Sequence, residues 1–109
     1  MMSLPAEIES QKRIELVRVA DEMLEGRMHL LEGVRRICGL RHQIGDADNP
    51  VFMPIRAIDS ETDHMPLGEM RNGCDAGYLQ RVDSDMNAYL DQATEDILSA
   101  CREIVRAFG

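Results

Sequence analysis

Apolar positions recur every three or four residues in the first and last thirds of the chain and lose that rhythm between them. The longest run is Leu79, Val82, Met86, Tyr89, Leu90, Ala93, Ile97, Ala100, Cys101, Ile104 and Phe108, a spacing that gathers them on one side of an α-helix. Asp75 stands before it as an N-cap and Gly109 after it, so the pattern predicts one helix over 76–108. At a rise of 1.5 Å per residue such a helix is about 48 Å long. A compact chain of this length has a diameter of about 34 Å. The excess predicts an elongated antiparallel bundle, a bent helix, or a projecting part packed against a second copy of the chain.

Nearer the start, Leu16, Ala20 and Met23 fall at helical spacing behind Ser3 as an N-cap, with Pro5 and Glu7 in the opening turn. Gly26 interrupts this pattern before Leu30, Leu31, Val34, Ile37 and Cys38 resume it, which predicts helices over 4–25 and 27–44, or one helix bent at Gly26. Gly39 and Gly45 offer stops. Gly33, inside the second helix, costs about 1 kcal/mol relative to alanine and points to another backbone passing close by. The run Asp46, Ala47, Asp48, Asn49, Pro50 is a turn, and Asp48 or Asn49 caps a short helix over 50–58 that buries Phe52, Ile55 and Ile58. Pro54 fits only if it falls in the first turn. Residues 59–75, with Pro66, Gly68 and Gly73, read as a long loop with one helical turn after Pro66. The expectation is a single all-α domain over 1–109, an elongated antiparallel bundle of three to four helices with a long C-terminal helix.

Charge changes the picture. The chain of 109 residues carries a formal net charge of −8. Up to Gly45 acids and bases balance at seven each, and from Asp46 onward five bases face thirteen acids. Phosphate recognition depends on Lys and Arg, so this balance excludes a primary nucleic-acid binder and disfavours an anionic membrane surface. No stretch approaches the roughly 20 apolar residues that span a bilayer, and residues 1–11 lack the pattern of a signal peptide, so a cytoplasmic location is expected. Three cysteines without ligand spacing fit reduced thiols: Cys38 and Cys101 as small core residues, Cys74 as the solvent-reachable one. An aromatic content of 4%, without Trp, removes base-stacking platforms. Eight methionines could furnish an adaptable groove, but Met23, Met28 and Met86 follow helical spacing and read as core.

Two features carry candidate chemistry. On the last helix Asp83, Asp85, Asp91, Glu95 and Asp96 lie opposite the apolar arc, with no base between Arg81 and Arg102. That face reads either as a solvated surface or as a docking surface for a basic partner, with Asp91 and Glu95 as its contact residues. The second feature is the loop, where Glu61, Asp63, His64 and Arg71 stand within eleven residues. Asp63 and His64 could form an acid–base couple, Glu61 could join them as a metal ligand, and Arg71 could grip an anion. Adjacent side chains point apart, which makes poor metal geometry. The structural alternative has Ser60, Thr62 and Asp63 capping helix ends while Arg71 pairs with a carboxylate to close the loop. His29 and His42 read as surface or boundary residues. A calcium loop at Asp46 and Asp48 is excluded, because Pro50 occupies the third ligand position.

The stretch Ser60-Glu61-Thr62-Asp63-His64-Met65-Pro66-Leu67-Gly68-Glu69-Met70-Arg71 resembles an S-E-T-D-x-x-P-x-G-x-x-R segment found between helices in small bacterial all-helical proteins of unassigned function. The resemblance takes in the preceding helix through Leu31-Glu32-Gly33-Val34-Arg35 and the last helix, and implies no activity. In size and charge the chain also looks like small acidic bacterial proteins that neutralise a toxin by binding it. The sequence thus predicts a non-enzymatic protein without cofactor or metal, which binds another protein in the manner of an immunity protein or antitoxin. Residues 60–71 and the acidic face of the last helix form the expected contact surface. The alternatives are a small-molecule or weak hydrolase-like site at Glu61, Asp63, His64 and Arg71, and a self-associating structural protein, such as a homodimer.

Overall fold

Helix α1 (Pro5–Leu24) stops where Gly26 turns left-handed, at φ 75°, in the computed structural model, which describes residues 5–109. The Gly26 N–H bonds to the Met23 carbonyl at 3.2 Å and the Arg27 N–H to the Glu22 carbonyl at 2.8 Å, the paired reverse bonds that satisfy the last carbonyls of a helix. Gly45, at φ 71°, ends helix α2 (Leu30–Gln43) with the same pair of bonds to His42 and Arg41. The chain therefore breaks at Gly26 into two helices. The predicted N-cap Ser3 lies outside the described residues.

The start of α2 is set by His29, whose Nδ1 accepts from the Leu31 N–H at 3.2 Å. Histidine is an uncommon N-cap; His29 is exposed, as read from the sequence, and the capping bond adds a role that reading does not give. Asp75 acts as predicted, its Oδ2 accepting from the N–H groups of Gly77 and Tyr78, and of the two caps expected before Pro50 it is Asn49 that serves, its side chain accepting from the Val51 N–H at the start of a 3-10 turn.

The third helix differs from its expected span of 50–58. Pro50–Phe52 forms a 3-10 turn, and helix α3 (Met53–Thr62) follows it with Pro54 in its first turn. The helix reaches Thr62 because long-range and local bonds hold its end. Thr62, fully buried, donates to the Ile58 carbonyl at 2.7 Å, and Arg35 of α2 donates to the Thr62 carbonyl while facing Asp59 at 3.8 Å. A second 3-10 segment, Gly68–Gly73, occupies part of the expected loop 59–75. Helix α4 (Ala76–Phe108) is continuous over 33 residues.

The four helices form an all-α antiparallel bundle. Arg36 faces Glu15 at 3.7 Å while Met23 meets Gly33, which sets α2 antiparallel to α1. Cys101 Sγ lies 3.8 Å from Met23 Sδ, and the Arg13 guanidinium sits 5.5 Å from the Phe108 ring centroid, so α4 runs back along α1. Phe52 stacks on Phe108 with centroids 5.7 Å apart, and Tyr89 meets Glu61, which places α3 antiparallel to α4. The core comprises Leu16, Met23, Leu31, Ile37, Phe52, Ile55, Ile97 and Ile104, all almost fully buried.

The over-long helix is accommodated by elongation. The bundle measures 50 × 32 × 24 Å, and its long dimension matches the length of α4, about 50 Å at 1.5 Å per residue. The first part of α4 does not project bare, because Met65 and Leu67 pack beside Val82 and Met86, which are 7% and 5% exposed. The close neighbour predicted for Gly33 is a side chain rather than a backbone: an added Cβ would come within 2.6 Å of Met23 Cγ and nearer still to its sulfur.

Candidate functional site

Arg71 closes the segment that joins α3 to α4. Its guanidinium donates two parallel bonds of 2.8 Å to the carboxylate of Asp83 on α4, and a longer one of 3.5 Å to the Pro66 carbonyl. The fork geometry fixes both groups. It holds the Asp83 carboxyl below the ordinary aspartate range and raises Arg71 correspondingly. Pro66 is buried and Gly68 is left-handed at φ 57°, so the Pro, Gly and Arg of the S-E-T-D-x-x-P-x-G-x-x-R segment shape this closure.

The other residues singled out in the sequence separate. Asp63 is exposed at the C-cap of α3, and His64, also exposed, lines a small depression with Met65, Tyr78, Arg81, Val82 and Asp85. Arg71 lines another, beside His29 and Glu32. Glu61 lines a third, between α3 and α4. Three depressions therefore divide residues that a catalytic or small-molecule site would bring into one. Of the expected caps, Thr62 turns back to the Ile58 carbonyl within its own helix. Among the described residues no group of three His, Cys, Asp or Glu is placed to hold a metal ion. No helix among them is long and apolar enough to cross a membrane.

The acidic face of α4 is less bare than its sequence implies. Asp83 is paired with Arg71, and Glu95 with Arg102 at 2.9 Å. Arginine stems reach along and between elements, so the absence of bases from positions 82–101 does not leave these carboxylates alone. Asp91 is exposed. An exposed pair such as Glu95 with Arg102 contributes little to stability and yields readily to a partner.

Two of the three thiols are shifted toward the protonated form. Burial raises Cys38 and Cys101 to about 11, Cys38 being raised further by Asp59. Cys74, half-buried, donates to the Met70 carbonyl at 3.4 Å.

The most spacious of these three depressions is the open groove of about 830 Å³ between α3 and α4. One wall is a single stripe of the third-helix region, Pro50, Pro54, Ala57, Ile58 and Glu61. The other is a single stripe of α4 from Tyr89 to Glu103, on which Gln92 and Ser99 stand among Ala93, Asp96 and Ala100. Its apolar positions are mostly small, its charged positions are all carboxylates, and no Lys, Arg or His lines it. At one end the Tyr89 hydroxyl donates to Glu61 Oε2 at 2.5 Å. Burial, then the Glu61 bond and charge, push Tyr89 up to about 12. At the other, Glu103 pairs with Arg106 at 2.8 Å on the exposed rim. Of the site residues expected from sequence only Glu61 lies in this groove. The signal missed is the alternation of Ala93, Asp96, Ala100 and Glu103, which puts small apolar and acidic side chains on one stripe.

No protein-family model, curated protein or solved structure matches this chain.

Proposed function

We propose that this chain acts by binding another protein, and that the groove between α3 and α4 is the receiving surface. The observation that supports this is the groove's composition: mostly small apolar residues open to solvent, with Gln92 and Ser99 among them, three carboxylates, and no cationic lining residue. Apolar area supplies affinity, and a one-signed rim speeds encounter with the opposite sign and deters partners of the same sign. A reaction centre draws no comparable support, since Glu61, His64 and Arg71 occupy different depressions. In its most specific form the role is that of a cytoplasmic immunity- or antitoxin-like protein that neutralises a basic partner.

Affinity capture at low salt tests this, with the wild type beside a variant carrying Asp96→Lys and Glu103→Lys. The expected result is a basic protein retained by the wild type and lost by the variant, with the pair reconstituted from purified components. Equal retention of the same proteins by both baits, or failure of purified components to associate, would refute the proposal.

A further inference from the structure

Building on the binding role proposed above, we infer that the groove receives one amphipathic helix of a basic partner, lying along it with cationic side chains at intervals of about seven residues. Three observations converge on a helix. The α4 wall is one stripe of a helix, the opposite wall is the 3-10 turn at Pro50 followed by one stripe of α3, and the two helices run antiparallel, so a third helix laid between them completes a helix-on-helix seam. The α4 wall from Tyr89 to Glu103 rises about 21 Å, the length of a helix of about 14 residues. Small residues at Pro54, Ala57 and Ala93 let a helix approach closely, where larger side chains would hold it off.

The apolar arc of α4 also shows where cover is missing. Val82 and Met86 are buried by the segment after α3, and Ile97, Ala100, Cys101 and Ile104 by the rest of the bundle. Between Met86 and Ile97 no residue of α4 is fully buried: Tyr89, Leu90 and Ala93 pack against the core but stay partly exposed. Tyr89 and Ala93 belong to the groove wall, so the incompletely covered stretch overlaps one end of the groove.

Charge then selects the occupant. Asp96 and Glu103 are seven residues apart on α4, about 10.5 Å along its axis. Glu61 sits level with Tyr89, which bonds to it, and Tyr89 is seven residues before Asp96. The three carboxylates thus recur at successive two-turn intervals along the groove, the spacing that Lys or Arg at i, i+7 and i+14 of a guest helix presents. Long cationic stems lie over apolar surface while their heads reach the rim. A second copy docked groove to groove would instead bring these carboxylates together.

The test uses the full chain and two synthetic peptides of about 18 residues, about 27 Å as a helix. One carries leucine and alanine at helical a and d positions with arginine once per heptad beside them. The other has the same composition permuted to remove the stripe. Fluorescence anisotropy is expected to show the striped peptide binding at least about tenfold more tightly than the permuted one. Ala93→Leu, which fills the groove from an incompletely buried position, is expected to abolish that difference, with an unchanged helical circular dichroism spectrum. Equal binding of both peptides, released by salt and indifferent to Ala93→Leu, would overturn the helix inference and leave the acidic binding surface standing. Binding of neither peptide would refute both. A concentration-dependent dimer of the chain alone, dissociated by Ala93→Leu in sedimentation, would assign the groove to a second copy and overturn the inference.

Discussion

Replacing Gly33 with alanine sets two effects of opposite sign against each other. In a helix interior the change from glycine to alanine is worth about 1 kcal/mol of stability through reduced backbone freedom. Here, however, the new methyl group would stand 2.6 Å from Met23 Cγ and 2.8 Å from Cε, closer than carbon atoms approach. Met23 is 1% exposed, and its sulfur lies 3.8 Å from Cys101 Sγ, so it has little room to swing aside. Overpacking of this kind costs about 1–3 kcal/mol. The net expectation for Gly33→Ala is a loss of up to about 2 kcal/mol. In a Met23→Ala background every clashing atom is gone, and the same substitution should gain about 0.5–1 kcal/mol. Met23→Ala itself costs about 2–5 kcal/mol, within the 5–15 kcal/mol typical of a native chain, so all four corners of the cycle stay measurable. Urea denaturation followed by circular dichroism supplies the four free energies. A gain from Gly33→Ala in the wild-type background, or the same sign in both backgrounds, would refute this account of the α1 and α2 contact.

His29→Ala should cost about 0.5–2 kcal/mol by removing the α2 cap, and His29→Asp should recover that loss in thermal unfolding, since aspartate is a strong N-cap. Arg71→Met should destabilise the chain most near neutral pH. The Asp83 carboxyl is held below its ordinary value of 3.8, so the linked stability is present above that pH and fades as pH falls through the lower folded value. Denaturation midpoints of wild type and variant should therefore converge in acid, and a constant gap would count against the pair as the source. Tyr89 should ionise near 12 rather than 10, so its linked stability is lost as pH rises between these values. Glu61→Gln should lower the transition only part of the way, because burial, its largest cause, remains; a phenolate absorbance titration unchanged by the substitution would contradict the Tyr89 to Glu61 bond.

Much of the architecture was legible before folding because it rests on local rules. Asp75 and Asn49 were readable as caps since a short acceptor side chain closes on its own backbone two or three residues on. The eleven-residue arc of α4 was readable because helical spacing alone gathers it on one face. Thr62 was not readable as the end of α3, since Arg35, 27 residues earlier, helps to hold it. His29 was missed because the propensity rule for caps favours other side chains, and here an imidazole nitrogen takes the role.

The candidate site follows the same division. Glu61, Asp63, His64 and Arg71 are neighbours in sequence, and proximity along the chain invited a shared role. A helix end, a turn and a 3-10 segment intervene, sending Glu61 to the α3 and α4 groove, His64 to one side of α4 and Arg71 onto Asp83. The groove draws its walls from residues 50–61 and 89–103, whose pairing depends on α3 and α4 lying antiparallel.

By itself, the sequence determined the helical class, the length of the last helix and the acidic balance of residues 46–109, because periodicity, capping and charge are properties of a segment. Only the tertiary structure decided which carboxylates are neutralised, what occupies the space beside Gly33, and which small residues face each other across a groove. Those depend on the meeting of distant segments, and the side chains that meet there, Met23 with Gly33, Arg71 with Asp83 and Tyr89 with Glu61, carry no mark of their partners in their own stretch of chain.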